Sequence, residues 1–128
     1  MSKALSAEQI LAAEDRELRE VEVPEWGGTV YLRTISGVER DRFEADTFRQ
    51  DKPNYENLRA RYLAITLSNE DGEPLFDKKQ VAKLGHKAAP VLDRLFTEAA
   101  KMNAMSRNDV DELLGNSESD PSADSASA

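Results

Sequence analysis

The sequence contains no cysteine and a single histidine, His86. Without thiols there is no disulfide framework and no thiolate metal site. With one imidazole, beside Gly85, there is almost no material for a nucleophile–base pair; a histidine next to a helix-ending glycine is far more often a loop residue than a base. Aromatic residues make up only 6% of the chain, with Trp26 the sole tryptophan, so no series of aromatics alternates with basic residues as a nucleic-acid surface requires. Basic residues are also outnumbered, 17 against 25 acids, for a net charge of −8. Such a surface repels phosphate backbones, which argues against nucleic acid as a partner. No apolar run approaches the roughly 20 residues of a membrane span, and the N-terminus lacks the apolar segment of a secretory signal. Cytoplasmic residence follows as the expectation.

What is present fits one domain: 128 residues, 39% apolar and 33% charged, enough for a single core with little apolar surface to spare. The stretch Val21–Arg33 organises it. Val21 and Val23 alternate with Glu20 and Glu22, and Val30 and Leu32 alternate with Tyr31 and Arg33. Period-two alternation directs one set of side chains to a core and the other to water. The five-residue link Pro24–Gly28 joins the two runs as a β-hairpin, with glycines that reach positive φ and a proline that ends the first strand.

The remainder reads as helix. Ser6 and Gln9 form a capping box for a short helix reaching about Glu14. Ser36 and Glu39 form a second for a polar helix over 37–49, anchored by Val38, Phe43, Ala45 and Phe48. Pro53 breaks it. Tyr55, Leu58, Tyr62 and Ile65, widened by Leu63 and Leu67, predict a helix over 55–67 with Arg59 and Arg61 on its outer side. Residues 68–74 form a turn, and the pair Leu75-Phe76 either docks or makes a very short strand. Asp77 and Gln80 cap a helix over 78–84, ended by Gly85. Pro90 opens the most apolar helix, with Val91, Leu92, Leu95, Phe96, Ala99 and Met102 facing a core shared with 55–67. Ser106 and Asp109 cap a last short helix carrying Val110, Leu113 and Leu114. From Asn116 the chain turns to Ser, Ala and Asp with no branched aliphatic or aromatic residue, so a tail over 116–128 is expected to stay disordered. The expected fold is α+β and mostly helical: a single domain over 1–115 with an N-terminal β-hairpin packed against about five helices, followed by the acidic tail.

Few motifs carry chemistry. Glu70, Asp71 and Glu73 around Gly72 lack the spacing of a calcium loop, and a turn is the simpler account. Gly27-Gly28 opens no helix and is followed by no phosphate-binding lysine. Trp26 at the hairpin tip either folds back over the hairpin's core, the favoured reading, or anchors a partner. Phe96, Met102 and Met105 mark the edge of the late apolar helix expected to be more exposed. With Trp26 they are the candidate partner-binding residues, and the methionines suit an adaptable surface. No catalytic, cofactor-binding or metal-binding residue emerges.

The blocks I-L-A-A-E-D, V-E-V-P-E-W-G-G-T-V-Y-L-R and S-G-V-E-R-D-R-F-E, followed by R-Y-L-A-I-T-L-S-N-E-D-G-E-P-L-F-D, together resemble tail assembly chaperones of long-tailed bacteriophages and prophages. The likeness runs over roughly residues 8 to 115. It implies a non-enzymatic protein without cofactors that binds the tape measure protein, keeps it soluble and helps bring major tail tube subunits to it. It also implies action in the cytoplasm of the bacterial host and absence from the mature virion. Self-association is compatible with coating a long partner, although no heptad seam shows it. The alternative is a structural phage protein such as a head–tail connector or neck component.

Overall fold

The computed structural model describes residues 3–49 and 52–104. In chain order these form α1 (Ala7–Ala12), β1 (Leu18–Val23), β2 (Gly28–Arg33), α2 (Gly37–Thr47), α3 (Leu58–Thr66), β3 (Leu67–Ser68), α4 (Val81–Leu84) and α5 (Ala89–Met102), with single 3-10 turns at Pro24–Trp26 and Lys78–Gln80. The fold is α+β and mostly helical. The last expected helix, Met105 and the tail from Asn116 lie outside the described residues.

The hairpin pairs Val21 with Val30 and Val23 with Gly28, so both valine runs face the same side. Gly27 has φ +78, the left-handed turn the link needs. Strand β1 begins at Leu18, earlier than the alternation alone indicates, because the ladder continues to Leu18 opposite Arg33. A third strand joins the far edge of β2: Tyr31 pairs with Ser68 and Leu32 with Leu67, giving the order β1-β2-β3. The expected helix over 55–67 is shortened at both ends by this geometry. Asn57 takes φ 50, a left-handed conformation that delays the start to Leu58. At the other end Leu67 leaves the helix for the sheet. Of the two options for Leu75-Phe76, the neighbouring backbone supplies a bridge: Pro74 pairs with Ser68, and the Leu75 N–H donates to the Leu67 carbonyl at 3.1 Å.

Helix α3 runs through the centre. Leu58, Ala60, Tyr62, Leu63, Ala64 and Thr66 are all buried, so it is enclosed on nearly every side. Helix α5 packs along it and against the hairpin through Val91, Leu92, Leu95, Phe96 and Ala99, a helical stripe that closes the core with Val23, Leu32 and Leu67. Tyr62 sits edge-to-face between Phe43 of α2 and Phe96 of α5, with ring centroids 5.1 and 5.2 Å away. Two ion pairs tie the hairpin to the outside of α5: Arg19 with Glu98 at 3.2 Å, and Glu25 with Arg94 at 2.8 Å.

The ends of β2 and α5 are joined by Asn103, which is buried. Its Oδ1 accepts from the Ile35 N–H at 2.8 Å, and its Nδ2 donates to the carbonyls of Arg33 at 3.3 Å and Ala99 at 3.0 Å. Arg40 of α2 donates to the Asn103 carbonyl at 3.3 Å. Three elements therefore meet on one residue, β2 and α5 through its side chain and α2 through its backbone carbonyl, and its side-chain amide is satisfied as buried polar groups must be. The Tyr62 hydroxyl is different. It is buried without a hydrogen-bond partner among the described residues, and burial pushes its pKa up to about 12.

Candidate partner-binding groove

Helix α2 starts where the capping box places it. The Ser36 side chain accepts from the Glu39 N–H at 3.1 Å, and Glu39 Oε1 accepts from the Ser36 N–H at 2.9 Å. Its other oxygen, Oε2, accepts from Arg33 Nη2 at 2.6 Å. Arg33 is itself buried and donates from Nε to the Ile65 carbonyl at 2.9 Å. Burial alone would raise the Glu39 pKa, but the Ser36 N–H and the Arg33 guanidinium outweigh it and hold the carboxyl below its ordinary value. One carboxylate thus fixes the start of α2 against both the sheet and α3. Arg33, read from alternation as a solvent-facing residue, is the pivot of this arrangement.

Farther along, Arg61 of α3 does not point outward as the helical pattern implies. Its guanidinium donates to Thr47 Oγ1 at 3.1 Å, to the Asn54 carbonyl at 2.6 Å and to the Glu56 carbonyl at 3.0 Å. It also lies 5.6 Å from the centre of the Phe43 ring. The connection leaving α2 supplies two carbonyls, and the multiple donors of the Arg61 guanidinium gather both. Burial lowers its pKa, with Asp46 opposing that shift. Arg59 is also partly covered, turned toward α5 and paired with Asp93.

On the opposite flank of α3, Asp77 caps the turn at Lys78–Gln80: its side chain accepts from the Lys79 and Gln80 N–H groups at 2.9 and 3.2 Å. Helix α4 follows. Between α2 and α4, above α3, lies a groove of about 670 Å³. Its floor and walls are Phe43, Ala64, Ile65, Phe76, Val81 and Ala82, and its rim carries Glu39, Arg42, Asp46, Arg61, Asp77 and Lys78. An apolar trough with charged edges is the shape that accepts the apolar face of a helix. Three of the rim charges are engaged within the chain: Glu39 with Arg33, Arg61 with Thr47 and the Asn54 and Glu56 carbonyls, and Asp77 in its cap. Arg42, Asp46 and Lys78 form no ion pair among the described residues.

The residues singled out from sequence as partner contacts do not line this groove. Trp26 is half-buried and packs against the core, with Lys87 Nζ 6.0 Å from its ring centre, so the hairpin tip folds back. Phe96 is fully buried against Tyr62 and is not on an exposed edge. The α5 stripe of Val91, Leu92, Leu95, Phe96 and Ala99 is buried as its pattern implies, and Phe96 belongs to its centre because both α3 and the hairpin pack on it. Met102 is half-buried on the same core, and Met105 lies outside the described residues. His86 is exposed in the connection between α4 and α5. The acidic turn is organised by Asn69, whose Oδ1 accepts from the Asp71 and Glu73 N–H groups at 2.8 and 3.0 Å. Among the described residues, no three histidine, cysteine or acidic side chains cluster in a way that could hold a metal ion. The groove escaped sequence reading because its walls come from three separate stretches. The one local signal was the pair of capping boxes that begin those walls.

Comparison with known proteins agrees with this architecture. The family model described as phage tail assembly chaperone matches residues 6–113. A search of curated proteins returned no match. Among solved structures, the tail assembly chaperone of bacteriophage HK97 is similar in fold at 23% sequence identity and a TM-score of 0.55, over 74% of this chain and 90% of that one.

Proposed function

The chain belongs to the phage tail assembly chaperone family, and from that premise we propose that it binds the tape measure protein without catalysing a reaction. It keeps that protein soluble and helps bring major tail tube subunits to it, in the host cytoplasm and without remaining in the finished virion. The observation that carries this reading is the groove between α2 and α4, whose apolar floor and charged rim suit the apolar stripe of a helix. A tape measure protein is long and largely helical, and its exposed apolar stripes are an aggregation hazard until another surface covers them. The net charge of −8 would help keep such a complex in solution.

Co-expression with the tape measure protein from the same phage or prophage tests the reading. A soluble complex that co-purifies is expected, and Val81→Asp on the groove wall should reduce the recovered complex severalfold while the chaperone itself stays folded. If the tape measure protein is equally insoluble with and without this chain, and nothing co-purifies, the proposal fails. Recovery of the chain at constant stoichiometry from mature virions would instead make it a structural component.

A further inference from the structure

Helix α5 stops sharply, and at a particular place. Ala104, which follows the C-cap Asn103, has φ 58, a left-handed conformation uncommon outside glycine, and its N–H donates to the Lys101 carbonyl at 3.0 Å. This geometry turns the chain off the axis of α5. Outside α5, Asn103 is held by the Ile35 N–H, the Arg33 carbonyl and the Arg40 guanidinium. Arg33 in turn pairs with Glu39, the neighbour of Arg40 on α2. Glu39 is also the first α2 residue on the rim of the α2–α4 groove. The chain therefore leaves the described domain close to one end of that groove.

The sequence that follows Ala104 suits it. Behind the Ser106–Asp109 cap, Val110, Leu113 and Leu114 fall at i, i+3 and i+4, the spacing of one helix face. The family match runs to residue 113, so most of this face lies inside the family's unit. In the groove, Ile65, Phe76 and Val81 are only partly buried and would gain from being covered. Reach is no obstacle. The α2 wall from Glu39 to Asp46 is about 10 Å long, whereas residues 105–114 span about 15 Å as a helix and about 33 Å extended. Charge takes no side: the rim carries three acids and three bases, and residues 105–115 carry Arg107 with Asp109, Asp111 and Glu112. The apolar face and the tether are what select this segment.

We propose that the Val110–Leu113–Leu114 face docks in the α2–α4 groove of its own chain and covers it until a partner helix displaces it. A short tether gives an effective concentration on the order of millimolar, so three apolar side chains stay seated that would not bind as a free peptide. The docking stands on the groove and the tether alone; the displacement rests on the function proposed above. The apparent affinity of any partner falls with the fraction of time the groove is open. A long apolar stripe overcomes that loss, and the short apolar segments of unrelated proteins do not.

The absence of cysteine makes the contact testable in the full chain. One variant carries Leu113→Cys with Ala82→Cys on the groove wall; the control carries Leu113→Cys with Asp71→Cys, an exposed turn position that does not line the groove. Under mild oxidation at high dilution, the first should close a disulfide within one chain severalfold faster than the second. Ala82→Cys alone is then reacted with a maleimide. Adding Leu113→Asp and Leu114→Asp should raise its rate severalfold, with circular dichroism retained and the rate at Asp71→Cys unchanged. The same two aspartates should increase the complex recovered with co-expressed tape measure protein. Equal closure of the two cysteine pairs overturns the docking, as does a disulfide that links copies or a maleimide rate that the aspartates leave unchanged. Equal recovery of the complex overturns the displacement. If the tape measure protein binds neither form, the function proposed above fails, and the disulfide and maleimide rates still decide the docking.

Discussion

Helix α1 has both halves of a capping box and buries none of its six residues, whereas α3 has no side-chain cap and buries six of its nine. The two sit at opposite ends of what makes a helix. At α1 the local signals are complete: Ser6 and Gln9 satisfy each other's backbone groups, and Glu8 lies in the first turn, favourable to the helix dipole. At α3 the N-cap is Asn57 in a left-handed conformation without a side-chain cap, yet the helix is the centre of the domain. Caps decide where a helix begins and contribute about 1 kcal/mol each. Burial of side chains such as Tyr62 and Leu63 contributes roughly 1.5–3 kcal/mol apiece, and so decides which helices the fold cannot do without.

Substitutions can sharpen that contrast. The largest effect should come from Phe96→Ala, which removes a fully buried ring packed on Tyr62 and should cost about 3–5 kcal/mol in denaturant unfolding. Leu11→Ala, a truncation in the exposed helix, should stay within about 0.5 kcal/mol of the parent. Equal losses at the two positions would mean that α1 is covered in the isolated chain. Next comes Asn103→Ala, which strands the Ile35 N–H and the Arg33 carbonyl in the interior and should cost about 1–3 kcal/mol.

Smaller effects separate the two kinds of cap. Ser36→Ala should destabilise the domain by about 1 kcal/mol, because α2 is packed on α3 through Phe43 and Thr47. Ser6→Ala should leave global stability unchanged and only reduce the helical signal of the arm. A shared global loss from both would mean that α1 is held to the domain as the packed helices are.

Titration gives a further check. The Tyr62 pKa is raised from 10.0 to about 12, so the folded state keeps its proton where the unfolded state has lost it. The stabilisation is whole below pH 10 and is lost as pH rises through 12. Unfolding followed across that window should show a decline in the parent that Tyr62→Phe removes. On the acid side, Arg94 hydrogen-bonds the Glu25 carboxylate and holds it near 2, below its ordinary 4.5. Its small contribution is present above pH 4.5 and fades as pH falls through 2, and because the pair is exposed, added salt should weaken it. Comparing Arg94→Ala with the parent between pH 2 and 5, at low and high salt, measures the smallest effect in this series.

Much of the fold was legible in local pattern. The hairpin followed from the alternation at Val21, Val23, Val30 and Leu32. The three capping boxes at Ser6, Ser36 and Asp77 set helix or turn starts that the structure keeps. What escaped was non-local. Strand β3 has only two residues, too few for alternation to appear. Helix α2 ends at Thr47, short of Arg49, because Phe48 takes φ −102 and ψ 59, which no residue pattern announces. Arg33 and Arg61 read as surface cations. Each is instead drawn inward by acceptors its helix or strand pattern does not announce: the distant Ile65 carbonyl for Arg33, and for Arg61 the carbonyls of Asn54 and Glu56 just upstream together with Thr47 of α2. The groove shares that origin, since Phe43, Ile65 and Val81 meet only after the chain has folded. The exposure of Leu5, Ile10 and Leu11 was invisible for the opposite reason: an apolar patch in a sequence reads as core until a structure shows that nothing lies against it.

Asn103 carries a consequence for dynamics. The Ile35 amide gives its proton to a side chain on the last turn of α5, 68 residues away, and to no backbone group of the sheet. Strand-end amides ordinarily exchange with solvent as the strand frays. Its hydrogen bond is broken whenever the C-terminal turn of α5 lets go, so the protection of this amide reports on contact with a helix from the other end of the described chain. A single amide just past β2 thereby senses whether the end of α5 is seated.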